Sequence, residues 1–225
     1  TSATASEQNE QSFSSDPMQP SPTLGGKTLS LAVPQGPTDH SSLLNAPGHL
    51  YFETKNLDGL TLSGAPRVVL RFKADVTDVD LCVRLLDVYP DGRRMLIDDG
   101  CHRARFINGF TQQDEQLLTP GSWYTLDWEL PVFFIHLAPG HRLGLLVSGS
   151  NYPLYNRNMQ TGGEMYPNQN ADTLVNPQVA QISLDISGQG SFLELPGPKT
   201  MLNVESYSPK ASEVHPFPNP GWEGF

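Results

Sequence analysis

The chain has 225 residues, 20 of them Gly and 20 Pro, a density of poor helix-interior residues that argues against a helical protein. Its 24 acidic and 14 basic residues give a net charge of -10; with no basic stripe to displace phosphate counterions, nucleic acid is not an expected partner. No run of 18 apolar residues occurs, so no helical membrane span and no membrane partner are expected.

Thr1 to Gln11 contain no large apolar residue, and residues 1–11 read as a disordered tail. They lack the hydrophobic stretch of a secretory leader, and the chain does not begin with Met. It is therefore expected to be either a processed protein or a piece of a longer one. Asp16 to Gly26, DPMQPSPTLGG, reads as extended, turn-rich surface chain. From there to Pro196, short apolar runs alternate with turn signals. Strands are expected at Lys27–Ala32, His49–Thr54, Val68–Ala74, Asp80–Tyr89, Met95–Phe106, Trp123–Leu130, Arg142–Ser148, Val179–Ile186 and Phe192–Leu195. Val68–Ala74 is the clearest, with Val68, Leu70, Phe72 and Ala74 on one face and Val69, Arg71 and Lys73 on the other. Asn151 to Gln178 is a long, Asn-rich stretch without strand character, a length that usually carries function or packs on something. The expected fold is all-β: an antiparallel jelly-roll β-sandwich, galactose-binding-like, over residues 12–196, followed by an extension over 197–225.

One hairpin can be read in detail. Asp91-Gly92 suits a two-residue type I′ turn. Leu86 then faces Ile97, Val88 faces Met95, Arg84 faces Asp99, and Cys82 faces Cys101. Directly opposed cysteines lie within disulfide reach; two unrelated buried thiols are the alternative, and a single β-bulge would break the register. The cysteines do not settle the compartment, and an extracellular or periplasmic location is favoured over a cytoplasmic one.

No catalytic residue is assigned. G-x-S-x-G is absent, and Ser150 and Ser191 read as turn or strand-end serines. The histidines, His40, His49, His102, His136, His141 and His215, fit no zinc spacing. His136 and His141, either side of a turn, read as ordinary turn or strand residues. No metal and no cofactor are expected. Asp98 and Asp99, adjacent in a strand, point to opposite faces and should not converge; Asp78 and Asp80 read as solvated. Asp87, mid-strand on an apolar face, calls for a partner such as Arg103 or Arg105. Arg157 reads as a loop anchor using bidentate hydrogen bonds, with Asn158 beside it. Gly92 and Gly100 suit turn or bulge positions, and Gly140 suits a turn. Trp123, Tyr124, Trp128, Tyr152, Tyr155, Tyr166 and Trp222 could form a recognition platform or pack inside, and composition does not separate these uses.

Three segments carry a family resemblance. The first runs from Val83-Arg84-Leu85-Leu86-Asp87-Val88-Tyr89-Pro90-Asp91-Gly92-Arg93 through Asp99-Gly100-Cys101-His102-Arg103-Ala104-Arg105-Phe106. The second is Pro139-Gly140-His141-Arg142-Leu143, then Ser148-Gly149-Ser150-Asn151-Tyr152-Pro153-Leu154-Tyr155-Asn156-Arg157-Asn158 and Thr161-Gly162. The third is Asp16-Pro17, Pro22-Thr23-Leu24-Gly25-Gly26 and Gly36-Pro37-Thr38-Asp39. Together they resemble the C-terminal jelly-roll domain of serine hydrolases of the X-Pro dipeptidyl-peptidase and cocaine-esterase (CocE/NonD) type. The resemblance implies that the catalytic Ser, Asp and His belong to a preceding α/β-hydrolase domain. The jelly roll would pack on that domain and support the cleft. The partner it implies is that domain of the same parent protein, and the alternative is a free-standing jelly roll for carbohydrate or protein recognition. The chain departs from the family pattern at Gly149 and Tyr152 and near its closing strand, and residues 197–225 have no family counterpart.

Overall fold

The computed structural model describes residues 9–164, 176–197, 202 and the backbone of 204–206. Expectations falling on residues 1–8, on Tyr166 and on Trp222 and His215 lie outside them. The described chain is built from antiparallel strands. One five-stranded sheet has the order β1-β10-β4-β11, with β7 also paired to β4. Its strands are β1 (Glu10–Ser15), β4 (Arg67–Ala74), β7 (Tyr124–Glu129), β10 (Ala180–Asp185) and β11 (Phe192–Glu194). β7 covers Arg67–Phe72 of β4, so β10, which meets Phe72–Ala74, and β11, which meets Arg67–Val69, share the other edge. The second sheet has the order β12-β2-β9-β5-β6, from β2 (His49–Thr54), β5 (Asp80–Val88), β6 (Arg94–Arg103), β9 (Arg142–Ser148) and β12 (Val204–Ser206). A two-stranded ribbon of β3 (Leu60–Gly64) and β8 (Phe133–Leu137) closes one end.

The core lies between the two large sheets. Val68, Leu70, Phe72 and Ala74 of β4 meet Leu81 and Val83 of β5, joined by Val147, Ile182 and Leu184. The period-two pattern of β4 is thus its inward face. A second cluster forms on the outer face of the β2-β9-β5-β6 sheet. There Leu43 and Leu44, in the 3₁₀ turn Ser41–Asn45, cover Leu86, Leu96, Leu146 and Tyr51.

Several expectations are corrected. Lys27–Ala32 is not a strand; Leu29 and Leu31 stand almost fully exposed in a loop closed at its base by the Gly26–Gly36 bridge. Glu10 and Gln11 are not tail but the start of β1, paired to Asp185 and Leu184. β12 continues the second sheet past residue 196, pairing Val204–Ser206 with Phe52–Thr54. The Met95–Phe106 run leaves strand geometry at Arg103 and ends in a 3₁₀ turn over Ala104–Phe106. Three short strands, β1, β3 and β8, escape the sequence pattern.

The β5–β6 hairpin is informative. Its turn is longer than two residues: Gly92 donates its N–H to the Tyr89 carbonyl, Tyr89 donates to the Arg93 carbonyl, and Gly92 sits at φ 93°. That is a type I turn closed by a glycine in the left-handed region. The ladder next to it is therefore Leu86 with Leu96 and Val88 with Arg94, not Ile97 and Met95. A bulge between Leu85 and Leu86 then puts Ile97 in as an extra residue and restores Arg84 opposite Asp99 and Cys82 opposite Cys101. The longer turn and the bulge cancel. Cys82 and Cys101 form a disulfide.

Candidate functional site

Alternation along β5 sends Leu81, Val83 and Leu85 inward and Asp80, Cys82, Arg84 and Leu86 outward. The outward face is not left to solvent. The leading segment (residues 16–45) and the loop after β9 (residues 149–162) form an additional layer over it, tied down by charged groups withdrawn from water. This anchored layer is where the motif residues gather.

Arg84 is the largest fully buried side chain, with no exposed surface. Its guanidinium donates to Ser148 Oγ at 2.9 Å and to the Pro22 carbonyl and Asn151 Oδ1 at 3.0 Å. Its ladder neighbour Asp99 reaches it through an amide: Asn151 Nδ2 donates to Asp99 Oδ2 at 2.7 Å. Thr23 Oγ1 also donates to Asn151 Oδ1, at 2.8 Å. Burial pulls the guanidinium down to about 10, opposed by Asp99. His40 and His49 are held down to about 4, first by burial and then by the charge of Arg84. Asp98 and Asp99, expected to diverge, both meet Lys27, whose Nζ lies 2.7 Å from Asp98 Oδ1 and 3.3 Å from Asp99 Oδ1. β6 is the edge strand, so one long cation passing its open side is reached from both faces.

The second anchor corrects the solvated reading of Asp78 and Asp80, which are 0% and 6% exposed. Arg105 binds Asp78 through its backbone N–H at 3.1 Å and Nε at 2.7 Å, and Glu115 through Nη1 at 2.7 Å. Arg103 grips both oxygens of Asp80 at 2.8 and 2.9 Å. Asn158 closes the cluster, its Nδ2 lying 2.9 Å from Asp78 Oδ2 and 2.9 Å from Asp80 Oδ1. Its Oδ1 accepts the Gln160 N–H at 2.9 Å, and Gln160 Nε2 donates to the Ser15 and Gln178 carbonyls. Burial raises the Asp78 carboxyl against the pull of Arg105. Arg157 is not the bidentate anchor expected. It donates to the Pro17 carbonyl at 3.3 Å and lies over the Tyr152 ring at 4.8 Å.

Asp87 does not pair with Arg103 or Arg105, both committed elsewhere. Its Oδ1 is 2.7 Å from His141 Nδ1, brought across by the turn at Gly140, where φ is 85°. The His141 ring also packs, tilted, against Tyr89, with centroids 4.4 Å apart. His136 bonds Thr61 instead, and among the described residues no three potential metal ligands converge. Glu53 receives Arg94 and Arg142. Gly100 is neither turn nor bulge; a Cβ there would stand 2.6 Å from Leu130 Cδ2, so it serves close packing between the sheets. Ser150 and Ser191 accept backbone N–H groups of Ser21 and Arg71 through their hydroxyls, as structural serines do. Tyr152 and Tyr155 are half-buried. Sequence reasoning missed Lys27, Thr23, Glu53, Arg94 and Gln160. Each is a lone polar residue whose partner lies far along the chain, so no local spacing marks it.

The chemistry of this arrangement is positional: two sets of buried charges fix two loops onto one sheet face. The chain matches, over residues 3–191, the family described as the X-Pro dipeptidyl-peptidase C-terminal non-catalytic domain. It is 33% identical over 149 residues to the cocaine esterase of Rhodococcus sp. (strain MB1 Bresler), covering 66% of this chain and 26% of that protein. It superposes on a selenomethionine-labelled α-amino acid ester hydrolase with a TM-score of 0.74 at 26% identity, covering 86% of this chain and 33% of the other. An aminopeptidase from a marine-sediment archaeon, Thaumarchaeota archaeon, shares the fold with a TM-score of 0.71 at 23% identity, over 83% of this chain and 32% of that one. The chain thus spans about a quarter of the curated relative and about a third of these solved ones. Its all-β sandwich, its motif segments and this match agree: the chain belongs to the family of X-Pro dipeptidyl-peptidase C-terminal non-catalytic domains.

Proposed function

We propose that the chain works as the supporting β-sandwich of a serine hydrolase, packed on an α/β-hydrolase domain of the same polypeptide, with X-Pro dipeptidyl-peptidase or acyl-ester hydrolase activity in the whole. The observation that carries this reading is coverage: the matched region fills only 26% of the cocaine esterase and 33% of the α-amino acid ester hydrolase. The surface supports it. Leu29, Leu31, Phe110, Val132 and Phe134, on three separate segments, are large apolar side chains each more than 70% exposed and available for packing on another domain. The anchored loops support it as well, because buried charges hold loop shape independently of a partner. The disulfide supports an extracellular or periplasmic location, where such bonds persist.

The test compares two proteins. The purified chain alone should not hydrolyse p-nitrophenyl esters or X-Pro-p-nitroanilides and should not be labelled by a fluorophosphonate serine probe. The reading frame extended to include its upstream sequence should hydrolyse at least one of the two substrate classes and be labelled by the probe. Saturable turnover by the chain alone would overturn the supporting role, and an extended frame without a hydrolase sequence would overturn the partner.

A further inference from the structure

The disulfide occupies a particular place in the ladder. On the outward face, three successive cross-strand pairs join β5 to β6: Asp80 with Arg103, Cys82 with Cys101, and Arg84 with Asp99. The loop after β9 stands on the pairs either side of the cysteines. Asn151 sits on Arg84 and Asp99. Asn158 sits on Asp80, and the Asn156 carbonyl accepts from Arg103. The disulfide therefore lies between the two footholds of one loop.

The register that creates those footholds is not the one the turn sets. Next to the turn, Leu86 pairs with Leu96. Continued without interruption, that register would place Arg84 opposite Asp98, Cys82 opposite Gly100 and Asp80 opposite His102. Asp99, Cys101 and Arg103 would then face the core, because a one-residue slip exchanges the faces of a strand. Only the extra residue Ile97 prevents it. β6 is an edge strand, so β5 alone among the named strands holds its register, and beyond the bulge a slip must break the covalent link together with the Arg103–Asp80 pair and the contacts of Asp99 with Asn151 and Lys27.

We propose that Cys82–Cys101 is a redox-sensitive register lock for the loop after β9: oxidised, it holds the bulged register and both footholds; reduced, it lets the outer half of β6 open and unseats the loop. The chemistry is thiol–disulfide exchange with a dithiol. A thiolate of the reductant attacks Sγ of Cys101, the less buried of the two residues, giving a mixed disulfide and expelling Cys82 Sγ as a thiolate that takes a proton. The reductant's second thiolate then closes on its first sulfur and releases Cys101, which is protonated. Two electrons pass to the protein, and the dithiol leaves as its own disulfide.

The folded protein would be treated with dithiothreitol, the gain of two hydrogens confirmed by intact mass, and amide hydrogen exchange followed by mass spectrometry in both states. The expected result is exchange about ten-fold faster or more in residues 98–103 and 151–162 after reduction, with β4 and β10 unchanged and full reversal on reoxidation. A Cys82→Ala/Cys101→Ala variant should show the same local pattern without reductant; if it does not fold, the reduced wild-type protein still decides. Unchanged exchange in the two segments, a uniform acceleration across both sheets, or a bond that resists dithiothreitol in the folded state would each overturn the proposal.

Discussion

Asn158 donates to two buried carboxylates, whereas its neighbour Arg157 reaches a single carbonyl at 3.3 Å and the face of a ring. Removing a buried donor leaves its acceptors unsatisfied, and removing a half-exposed one mostly returns a carbonyl to water. Asn158→Ala should therefore cost about 2–3 kcal/mol and Arg157→Ala less than about 1 kcal/mol, read as the difference between their urea unfolding free energies. Equal losses would move the anchor back to Arg157. Arg84→Met should cost about 3–5 kcal/mol, since it strands the Asp99 side of the network in a site already closed to water. His40 and His49 set an acid limit. Their folded values are about 4, against about 6.5 for an unfolded histidine. Between those values the unfolded chain binds protons that the folded chain refuses. Stability is thus fully present above pH 6.5, declines as the pH falls to 4, and levels out below. Each histidine contributes about 3 kcal/mol across that window. The raised Asp78 carboxyl works in the opposite direction as it takes up its proton. Urea midpoints at pH 7 and pH 4.5 should differ accordingly, and His49→Gln should narrow the difference.

The paired strands of the β5–β6 hairpin and the sheet opposite approach closely at Gly100, where any side chain would meet Leu130 and the Trp128 indole. Gly100→Val should destabilise by about 1–3 kcal/mol through overpacking, seen as a lowered melting temperature, while the turn glycine Gly92, with open space around its Cβ position, suffers only from its positive φ. Sequence alone reached the cysteine pairing in this hairpin by way of a turn that is wrong, because Ile97 carries no mark of being an extra residue; bulges are decided by the partner strand. β4 was legible because one face is solvated and the other buried, giving alternation. β5 was legible because its short apolar runs, Leu81–Val83 and Leu85–Leu86, lead straight into the turn signal Pro90-Asp91-Gly92. The β3–β8 ribbon was not, since Leu60–Gly64 and Phe133–Leu137 are short and gain their inward face only by lying over Leu85 and Leu143. Lys27–Ala32 failed for the opposite reason: its leucines alternate as a strand's would, yet the Gly26–Gly36 bridge turns the segment into a closed loop.

At the scale of the molecule, the sandwich was readable from the density of turn residues and short apolar runs, and the anchored layer only from the motif segments that resemble a family. Its ties from the sheet to the loop after β9 join residues more than fifty positions apart, as Arg84 to Asn151 and Asp78 to Asn158 do, and such contacts leave no period in the sequence. The end of the domain also lies later than composition suggests. Truncation after Pro196 removes β12 and Leu202, which packs beside Leu85 and Leu137. It should cost at least about 1 kcal/mol from the apolar contact alone, measured by comparing denaturant midpoints of residues 1–196 and 1–225; identical midpoints would place the boundary at 196 after all. β1 and β12 have one more consequence. The first described strand borders β10 and touches β2 of the opposite sheet, and the last borders β2 within that second sheet. Tension pulling the chain apart by its ends therefore acts on these two outer strands before it reaches the disulfide-stapled β5–β6 pair at the far edge of the second sheet. Stretched in an optical trap, the molecule should peel in two short early steps and then resist as a single unit.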